Sequence, residues 1–129
     1  MLSTVWKLAR VAWAYVWSSP MGGVGALAVL VSLCFGERVR WDRGAFVVKA
    51  TGPFGSWMAS RGWGGFTIGW TILLWHYENP TVLAHERVHV EQAKRWGLLF
   101  WPAYLWELAI HGYRGNRFER EAYHRAGQV

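Results

Sequence analysis

The stretch from residue 79 to residue 97, NPTVLAHERVHVEQAKRWG, predicts a helix on which the rest of the chain can pack. Asn79 is a good N-cap, Pro80 is preferred at the first helical position, and Gly97 is a typical helix stop. One side of this helix is charged and consists of Arg87, Glu91, Lys94 and Arg95. At about 100° per residue, His85 and His89 fall on the opposite side, so both imidazoles are predicted to point into the protein.

His85, Glu86 and His89 form an HExxH sequence. Two histidines four residues apart on a helix can bind one metal ion, and zinc takes imidazole nitrogen at about 2.0–2.1 Å. Glu86 is then predicted to take a proton from a zinc-bound water, which would make the chain a hydrolase. The alternative is a pair of core histidines satisfied by ordinary hydrogen bonds.

A catalytic zinc site needs a third protein ligand. The extended metzincin form of the motif is excluded, because it requires glycine and histidine where this chain has Gln92 and Arg95. The better candidate lies in residues 116–122, NRFEREA, which are predicted to be helical. An HExxH sequence followed about thirty residues later by a helical E-x-x-A resembles the gluzincin-type zinc metallopeptidases.

The gluzincin resemblance implies Glu119 as the third zinc ligand and Ala122 as the small residue that lets two helices approach. Tyr123 stands where an Asp often follows in such families, so the resemblance leaves the outer contacts of the site open. The residues themselves also fit a capping box, in which Glu119 folds back on Asn116 and cannot hold zinc. Glu121 is the alternative third ligand.

The chain from Phe66 to Tyr123 is also similar to a group of small, uncharacterised bacterial HExxH proteins. The shared segments are Thr67–Gly69, His85–Val90 with Gln92, Trp96–Gly97, Pro102–Leu105 and Asn116–Tyr123. This resemblance implies the same metal site and brings no substrate with it.

Further polar side chains are candidates for polarising a substrate carbonyl or stabilising its oxyanion. They are His76, His111, Tyr113, Tyr123 and His124, among which the sequence does not choose. Glu107 lies in an apolar stretch and needs a partner. It either accepts a hydrogen bond from a zinc-bound imidazole or forms a salt bridge with Arg114 or Arg117.

Residues 11–36, VAWAYVWSSPMGGVGALAVLVSLCFG, contain no charged side chain. A spanning helix needs about 20 residues, so this run predicts either one kinked transmembrane helix or two shorter helices, the first of them interfacial. A soluble hairpin packed on the domain is the alternative. A cleaved signal peptide is disfavoured, because no clean small-x-small site follows the apolar core. We therefore expect association with membrane lipid.

Basic residues flank the apolar run on both sides. Lys7 and Arg10 precede it, and Arg38, Arg40, Arg43 and Lys49 follow it. This distribution favours a cytoplasmic domain by the positive-inside rule. The single cysteine, Cys34, excludes an internal disulfide and is expected to be a small buried hydrophobic residue.

The remaining sequence predicts a hairpin over residues 38–50, a loop over 51–65, a strand over 66–75, and helices over 102–112 and 116–126. We expect an α+β fold in two parts. Residues 1–36 form an apolar helix or helical hairpin, and residues 37–129 form a zincin-like domain. In that domain a small antiparallel sheet packs on the HExxH helix, and two further helices close the site. The free edge of strand 66–75 is expected to lie beside the cleft and to pair an extended peptide.

Composition narrows the function classes. The 129 residues correspond to one domain, and 53% hydrophobic residues exclude disorder. Eleven tryptophans must be packed or lie at a membrane interface. The net charge is +6, but acids and aromatics interrupt the basic residues, so nucleic acid is not an expected partner.

The leading prediction is a membrane-associated zinc peptidase with one Zn²⁺ per chain and a peptide or protein substrate. The alternatives are a non-catalytic membrane-associated protein with a structural zinc site, and a Trp-rich interfacial protein without metal.

Overall fold

The computed structural model describes residues 2–75 and 79–128, so His76 lies outside the described residues. The fold is α+β, as predicted. The elements in chain order are α1 (Leu2–Cys34), β1 (Arg38–Asp42), β2 (Ala45–Ala50), α2 (Pro53–Ser60), β3 (Gly65–Ile68), β4 (Thr71–Trp75), α3 (Pro80–Trp96), a 3₁₀ turn (Gly97–Leu99), α4 (Phe100–Gly115) and α5 (Arg117–Arg125).

The four strands form one mixed sheet in the order β1-β2-β4-β3. The pairs β1–β2 and β3–β4 are antiparallel, as expected, but β2 and β4 run parallel, so the prediction of a purely antiparallel sheet is wrong. The predicted single strand over residues 66–75 is also wrong. Gly69, with φ of 58°, turns the chain together with Trp70 and splits the segment into β3 and β4. The turn leaves β3 at the edge and places β4 beside β2.

A short helix, α2, occupies part of the predicted loop over residues 51–65. It has Gly52 at its N-cap and Pro53 in its first turn. Gly55 serves close packing here, because a Cβ at this position would collide with the carbonyl oxygen of Ala50 at the end of β2. The loop prediction failed because glycines that permit helix packing look the same in a sequence as glycines that permit turns.

Helix α1 is continuous through Pro20, so the alternative of two shorter helices is wrong and the segment is a single helix. Pro20 lacks the N–H that would bond the carbonyl of Val16. The hydroxyl of Ser19 donates to that carbonyl at 2.8 Å and replaces the missing donor. By length and composition, α1 could cross a membrane or act as a signal sequence. Cys34, expected to be buried, is exposed at its end.

The turn between β3 and β4 packs into a stripe of small residues on α1. The indole N–H of Trp70 donates to the hydroxyl of Ser18 at 2.7 Å, and Gly22 lies directly under the Trp70 ring. Gly69 approaches the backbone of Met21 so closely that a side chain there would collide with it. Ser18 and Gly22 therefore form part of the contact between α1 and the sheet.

The two central strands, β2 and β4, are packed against helices on both faces of the sheet. Because successive side chains in a strand point to opposite faces, β2 and β4 can be apolar at consecutive positions. Helix α3 covers one face, where the core consists of Ala45, Val47, Ile72, Leu74, Leu83 and Val90. Helices α1 and α2 cover the other face, where Val29 and Met58 meet Val48, Ala50 and Leu73. This arrangement fixes α3, and with it the HExxH sequence, against the sheet.

Helices α4 and α5 pack at the end of α3, where Ala93, Phe100 and Phe118 form a third cluster. Helix α4 extends from residue 100 to residue 115, beyond the predicted 102–112, although Gly112 has non-helical backbone angles. The predicted end at Gly112 thus marks a break in the helix direction, after which one more turn leads into α5.

Candidate metal centre

Helix α3 places the two motif histidines side by side in the interior. Its start is as predicted, with the side chain of Asn79 accepting from the backbone N–H of Thr81 at 2.9 Å, and Gly97 follows its last residue. His85 and His89 are buried on the inner face of this helix, and their Nε2 atoms lie 3.1 Å apart. Two imidazoles on consecutive turns therefore face one point.

Helix α5 brings the carboxylate of Glu119 to the same point. Its Oε2 lies 3.1 Å from Nε2 of His85, and its Oε1 lies 3.4 Å from Nε2 of His89. The three residues are buried and offer ligand atoms that all lie within 4.8 Å of one another, which is close enough to bind a metal ion. Within the described part of the chain, Glu119 Oε2 is buried without a hydrogen-bond partner, as a ligand oxygen would be.

The capping of α5 leaves Glu119 free for this position. Asn116 is fully buried, and its Oδ1 accepts from the backbone N–H of Phe118 at 2.9 Å. Its Nδ2 donates to the carbonyl of Tyr104 at 3.2 Å, which ties α5 to α4. The helix therefore has its N-cap without Glu119, and the expected conflict between capping and metal binding does not arise. Ala122, the expected small residue, is fully buried.

Glu121, the alternative third ligand, lies outside the cluster. Its carboxylate accepts from Nε2 of Gln92 at 2.9 Å and lies 3.5 Å from the guanidinium groups of Arg95 and Arg125. These contacts keep its pKa below the ordinary value, although burial acts in the opposite direction. Because Glu121 lies two positions after Glu119 on α5, its side chain points toward the charged side of α3 and not toward the histidines.

Two glutamine side chains determine which imidazole nitrogens face the cluster. Gln92 donates through Nε2 to the Phe118 carbonyl and to Glu121, so its Oε1 must face His89 Nδ1, which lies 2.8 Å away. Nδ1 of His89 therefore carries a proton, and in the neutral ring Nε2 presents a lone pair. His85 Nδ1 lies 2.9 Å from Oε1 of Gln128, which favours the same tautomer. Two lone pairs and a carboxylate converge here, and this donor set fits a cation.

The charges of the cluster depend on one another. Burial alone would raise the pKa of Glu119, but the adjacent His85 and His89 and the Tyr104 hydroxyl hold it below its usual range. Burial alone would lower the pKa of His89, but Glu119 and the charge of Glu86 raise it. The carboxylate is therefore ionised at neutral pH and can act as a ligand.

Glu86 lies on the wall of the same site. Its Oε2 accepts from the hydroxyl of Thr67, in β3, at 2.6 Å. Gly65, also in β3, has no room for a side chain, because a Cβ there would lie 2.8 Å from Cγ of Glu86. Burial raises the pKa of Glu86, although His89 and the Thr67 hydroxyl act in the opposite direction. A carboxylate with a raised pKa, held beside a cation site, is suited to accept and return a proton.

Three tyrosines surround the cluster. The Tyr104 hydroxyl donates to Glu119 Oε1 at 2.6 Å, and the ring of Tyr123 packs edge-on against His85. The hydroxyls of Tyr113 and Tyr123 lie 3.3 Å apart. Burial raises the pKa of Tyr104 and of Tyr113, and the neighbouring Glu119 adds to both effects, so these hydroxyls remain protonated and can donate.

The structure separates the candidates for carbonyl polarisation. Tyr113 and Tyr123 line the cavity at the cluster, whereas His111 and His124 are exposed outside its lining. Glu107 forms the salt bridge that was one of its two alternatives, with its Oε1 3.5 Å from Nε of Arg117. The other alternative is wrong, because Gln92 and Gln128 take the Nδ1 positions of the imidazoles.

A cavity of about 410 Å³ opens directly onto the cluster. His85, Glu86, His89 and Glu119 all line it, and residues 62–67 of the β3 segment form one wall. Aromatic and aliphatic side chains make most of the rest, namely Val82, Phe100, Trp101, Leu105 and Leu108 with the three tyrosines. The cluster is thus open to a molecule larger than water.

Sequence reasoning missed several contacts of the site. Tyr104 and Gln92 belong to segments shared with the bacterial HExxH proteins, but nothing in the residues alone assigned them a role. Thr67 occupies an inward position in a strand, which is also an ordinary core position. Gln128 follows α5 and the turn at Gly127, whose φ is 70°. Because Gln128 lies outside a regular helix, the helical pattern of the sequence could not predict which residue it contacts.

Comparison of this chain with protein families, with curated proteins and with solved structures finds no match. What the structure shows is that His85, His89 and Glu119 lie close enough to bind a metal ion.

Proposed function

We propose that this chain is a zinc-dependent peptidase associated with a membrane. One observation carries the proposal: the His85–His89–Glu119 cluster and the Glu86 carboxylate line the same open cavity. Structural zinc sites are closed by four protein ligands, whereas catalytic sites keep a position open to solvent and substrate. Three ligands facing a cavity, with a potential proton acceptor next to them, support the catalytic alternative.

The donor set supports zinc as the metal. Two imidazole nitrogens and one carboxylate are the ligands of catalytic His₂Glu zinc sites, whereas calcium and magnesium prefer oxygen ligands only. Bound there, zinc supplies a Lewis acid that eases deprotonation of water near neutral pH and polarises a carbonyl. Gln92 and Gln128 hold the two imidazoles in the tautomer that this binding needs.

Glu86 is proposed to take the proton of the attacking water and return it to the leaving amine. Thr67 keeps one of its oxygens in place, and its raised pKa suits both transfers. The hydroxyl pair of Tyr113 and Tyr123 is proposed to donate to the developing charge on the substrate oxygen.

The edge strand β3 is proposed to hold the substrate backbone. Strand order leaves β3 paired through the sheet on one side only, with β4, and residues 62–67 border the cavity. An extended peptide can add to such an edge through main-chain hydrogen bonds. Binding of this kind requires no specific sequence.

The decisive experiment uses Glu86→Gln. The purified protein should contain one zinc per chain and hydrolyse a mixture of quenched-fluorescence peptides. Glu86→Gln should keep the zinc and lose activity by about 100-fold or more, because the proton acceptor is gone. Glu91→Gln, the same change on the outer side of α3, should behave like the unaltered chain. Zinc without hydrolysis in the unaltered protein would favour the structural-site alternative, and absence of zinc would reject both.

Membrane association is proposed for α1, since it carries no charged residue from position 11 to its end and much of its surface is exposed. A cytoplasmic position of the domain is proposed, because basic residues lie on both sides of the apolar run and the cytoplasmic leaflet is the anionic one. Resistance of the full-length protein to extraction by high salt, and its release by detergent, would support this.

A further inference from the structure

We propose that α1 does not cross the membrane but lies along one anionic leaflet, with its outer face in the lipid and its inner face on the sheet. This inference concerns only how α1 lies relative to the membrane, and it rests on the membrane association given under the proposed function. Three features of the described residues carry it: the packing of the inner face, the apolar outer face, and the charges at both ends.

If α1 crossed the membrane, its apolar run would have to lie within the bilayer. The inner face of α1 is packed against the domain over most of this run. Near its middle, Ser18 and Gly22 hold Trp70, and Val29 belongs to the core of the sheet. One turn before Ser18, the hydroxyl of Tyr15 contacts both the carbonyl of Gly44 and the ammonium group of Lys94. A spanning helix is surrounded by lipid or by other spanning segments for about 20 residues.

A spanning α1 would therefore bring the sheet into the hydrocarbon layer. Strands β1 and β2 lie against α1, and the turn between them carries the exposed side chain of Arg43 next to the Gly44 carbonyl that Tyr15 contacts. The charged Lys94 side chain is also held against the helix. Charged groups at that depth are costly, and an irregular, open-edged sheet is not accommodated by lipid.

The outer face of α1 is apolar and exposed over the same length. Its members Val16, Val24, Leu27, Leu30, Val31 and Leu33 are between 49% and 63% exposed. No charged residue interrupts them between Val11 and Gly36. Monomeric soluble proteins rarely expose a continuous apolar surface of this kind, so a partner of matching chemistry is expected to cover it.

The two ends of α1 identify that partner as an anionic bilayer surface. Before the packed region, exposed Trp6 and Trp13 alternate with Lys7 and Arg10. After it come Arg38 and, opposite Arg38 on β2, Lys49, and residues 1–36 contain no Asp or Glu. A spanning helix typically concentrates basic residues at one end, whereas a helix in the plane of the membrane can use them at both. Tryptophan and basic side chains are suited to the headgroup region.

The test labels two thiols on one molecule. The full-length chain carries Cys34→Ser, Ser3→Cys at the start of α1 and Arg120→Cys on exposed α5, and is bound to preformed vesicles of phosphatidylcholine with about 30% phosphatidylglycerol. A membrane-impermeant maleimide is added, and labels per molecule are counted by mass spectrometry. If α1 lies flat, both thiols face the same side and doubly labelled molecules form in intact vesicles.

A spanning α1 gives the opposite result. No molecule in intact vesicles would then gain more than one label, and a second would appear only after detergent is added. That outcome overturns the flat geometry and leaves the proposed peptidase activity untouched. The proposal is also overturned if the chain does not bind the vesicles and dimerises through α1 without them. A second copy of the chain would then cover the outer face of α1.

Charge variants test the lipid class. Lys7→Gln and Arg10→Gln should each weaken binding to the anionic vesicles by about fivefold, because a basic residue near such a surface contributes that much. Arg120→Gln, which removes the same charge on α5, should bind as the unaltered chain does. Equal binding to pure phosphatidylcholine would contradict the role of the basic ends.

Discussion

At the scale of single residues, the cluster depends on side chains that do not touch the proposed metal position. Gln92 donates to two acceptors and so has its carbonyl oxygen directed at His89. Tyr104 holds one oxygen of Glu119, leaving the other free to bind. Such contacts leave no trace in the sequence pattern, yet they decide which atoms of the ligands face each other.

Glu119→Gln is expected to weaken zinc binding by more than about 100-fold, since loss of a ligand exceeds the effect of losing an outer contact. Glu121→Gln serves as the control on the same helix and should change affinity little, because an amide oxygen still accepts from Gln92. Competition with a chelator of known affinity measures both. Similar losses in the two variants would mean that the wrong carboxylate has been assigned.

Gln128→Ala is expected to lower zinc affinity by about tenfold, as is common when a contact to a ligand imidazole is removed. Its Oε1 accepts from His85 Nδ1 at 2.9 Å, and a Gln128→Glu variant keeps an oxygen in reach and should restore affinity. The same chelator competition applies. If the alanine and glutamate variants bind zinc equally well, the contact does not orient His85.

At the scale of elements, the stripe of small residues on α1 is the joint between this helix and the sheet. Gly25 lies so close to the carbonyl of Ile68 that an added Cβ would collide with it, and Thr71 is also near. Gly23, two residues earlier, faces open space, with nothing within 4 Å of the point that a Cβ would occupy. The two glycines are a matched pair within one helix.

Gly25→Ala is expected to destabilise the protein by about 1–3 kcal/mol through overpacking against the strand. Gly23→Ala should leave stability unchanged or raise it by up to about 1 kcal/mol, because alanine is the better helix former. Urea unfolding in mild detergent, followed by tryptophan fluorescence, provides the comparison. Equal stability of both variants would show that α1 is not docked as described.

The sequence predicted those elements whose signals are local. Asn79 and Gly97 mark the two ends of α3, as predicted. The two histidines lie on the buried face opposite the charged side of that helix. It did not predict elements decided by contacts distant in the chain. Gly55 and Gly69 look alike in a sequence, but one permits helix packing and the other a turn. Likewise, the position of Glu119 was implied by a resemblance, and only the fold brings it to the histidines.

At the scale of the whole molecule, the cluster joins α3 and α5, which also pack through Phe118 and are linked by the hydrogen bonds of Gln92. Because α3 and α5 supply different ligands, metal binding should stabilise the folded chain and not the unfolded one. Zinc at about 100 times its dissociation constant contributes about 2.7 kcal/mol, which corresponds to a rise in Tm of about 10 °C for a domain of this size.

Thermal unfolding with and without added zinc measures this effect. The unaltered chain and Glu86→Gln should both show the rise, because Glu86 is not proposed as a ligand. Glu119→Gln should show little of it at the same zinc concentration. A rise of equal size in all three would place zinc somewhere other than the cluster.

The contacts of α1 also have a consequence for the order of events during synthesis. The hydrogen bond of Ser18 cannot form until Trp70 has been synthesised, 52 residues later. That of Tyr15 cannot form until Lys94 has been synthesised, 79 residues later. At about 5–20 residues per second, the second interval lasts about 4–16 s on the ribosome. Between residues 34 and 75, which take about 2–8 s to synthesise at this rate, the helix is complete but the sheet that covers its inner face is not. A nascent chain of this kind depends on a chaperone or on early contact with lipid to avoid aggregation.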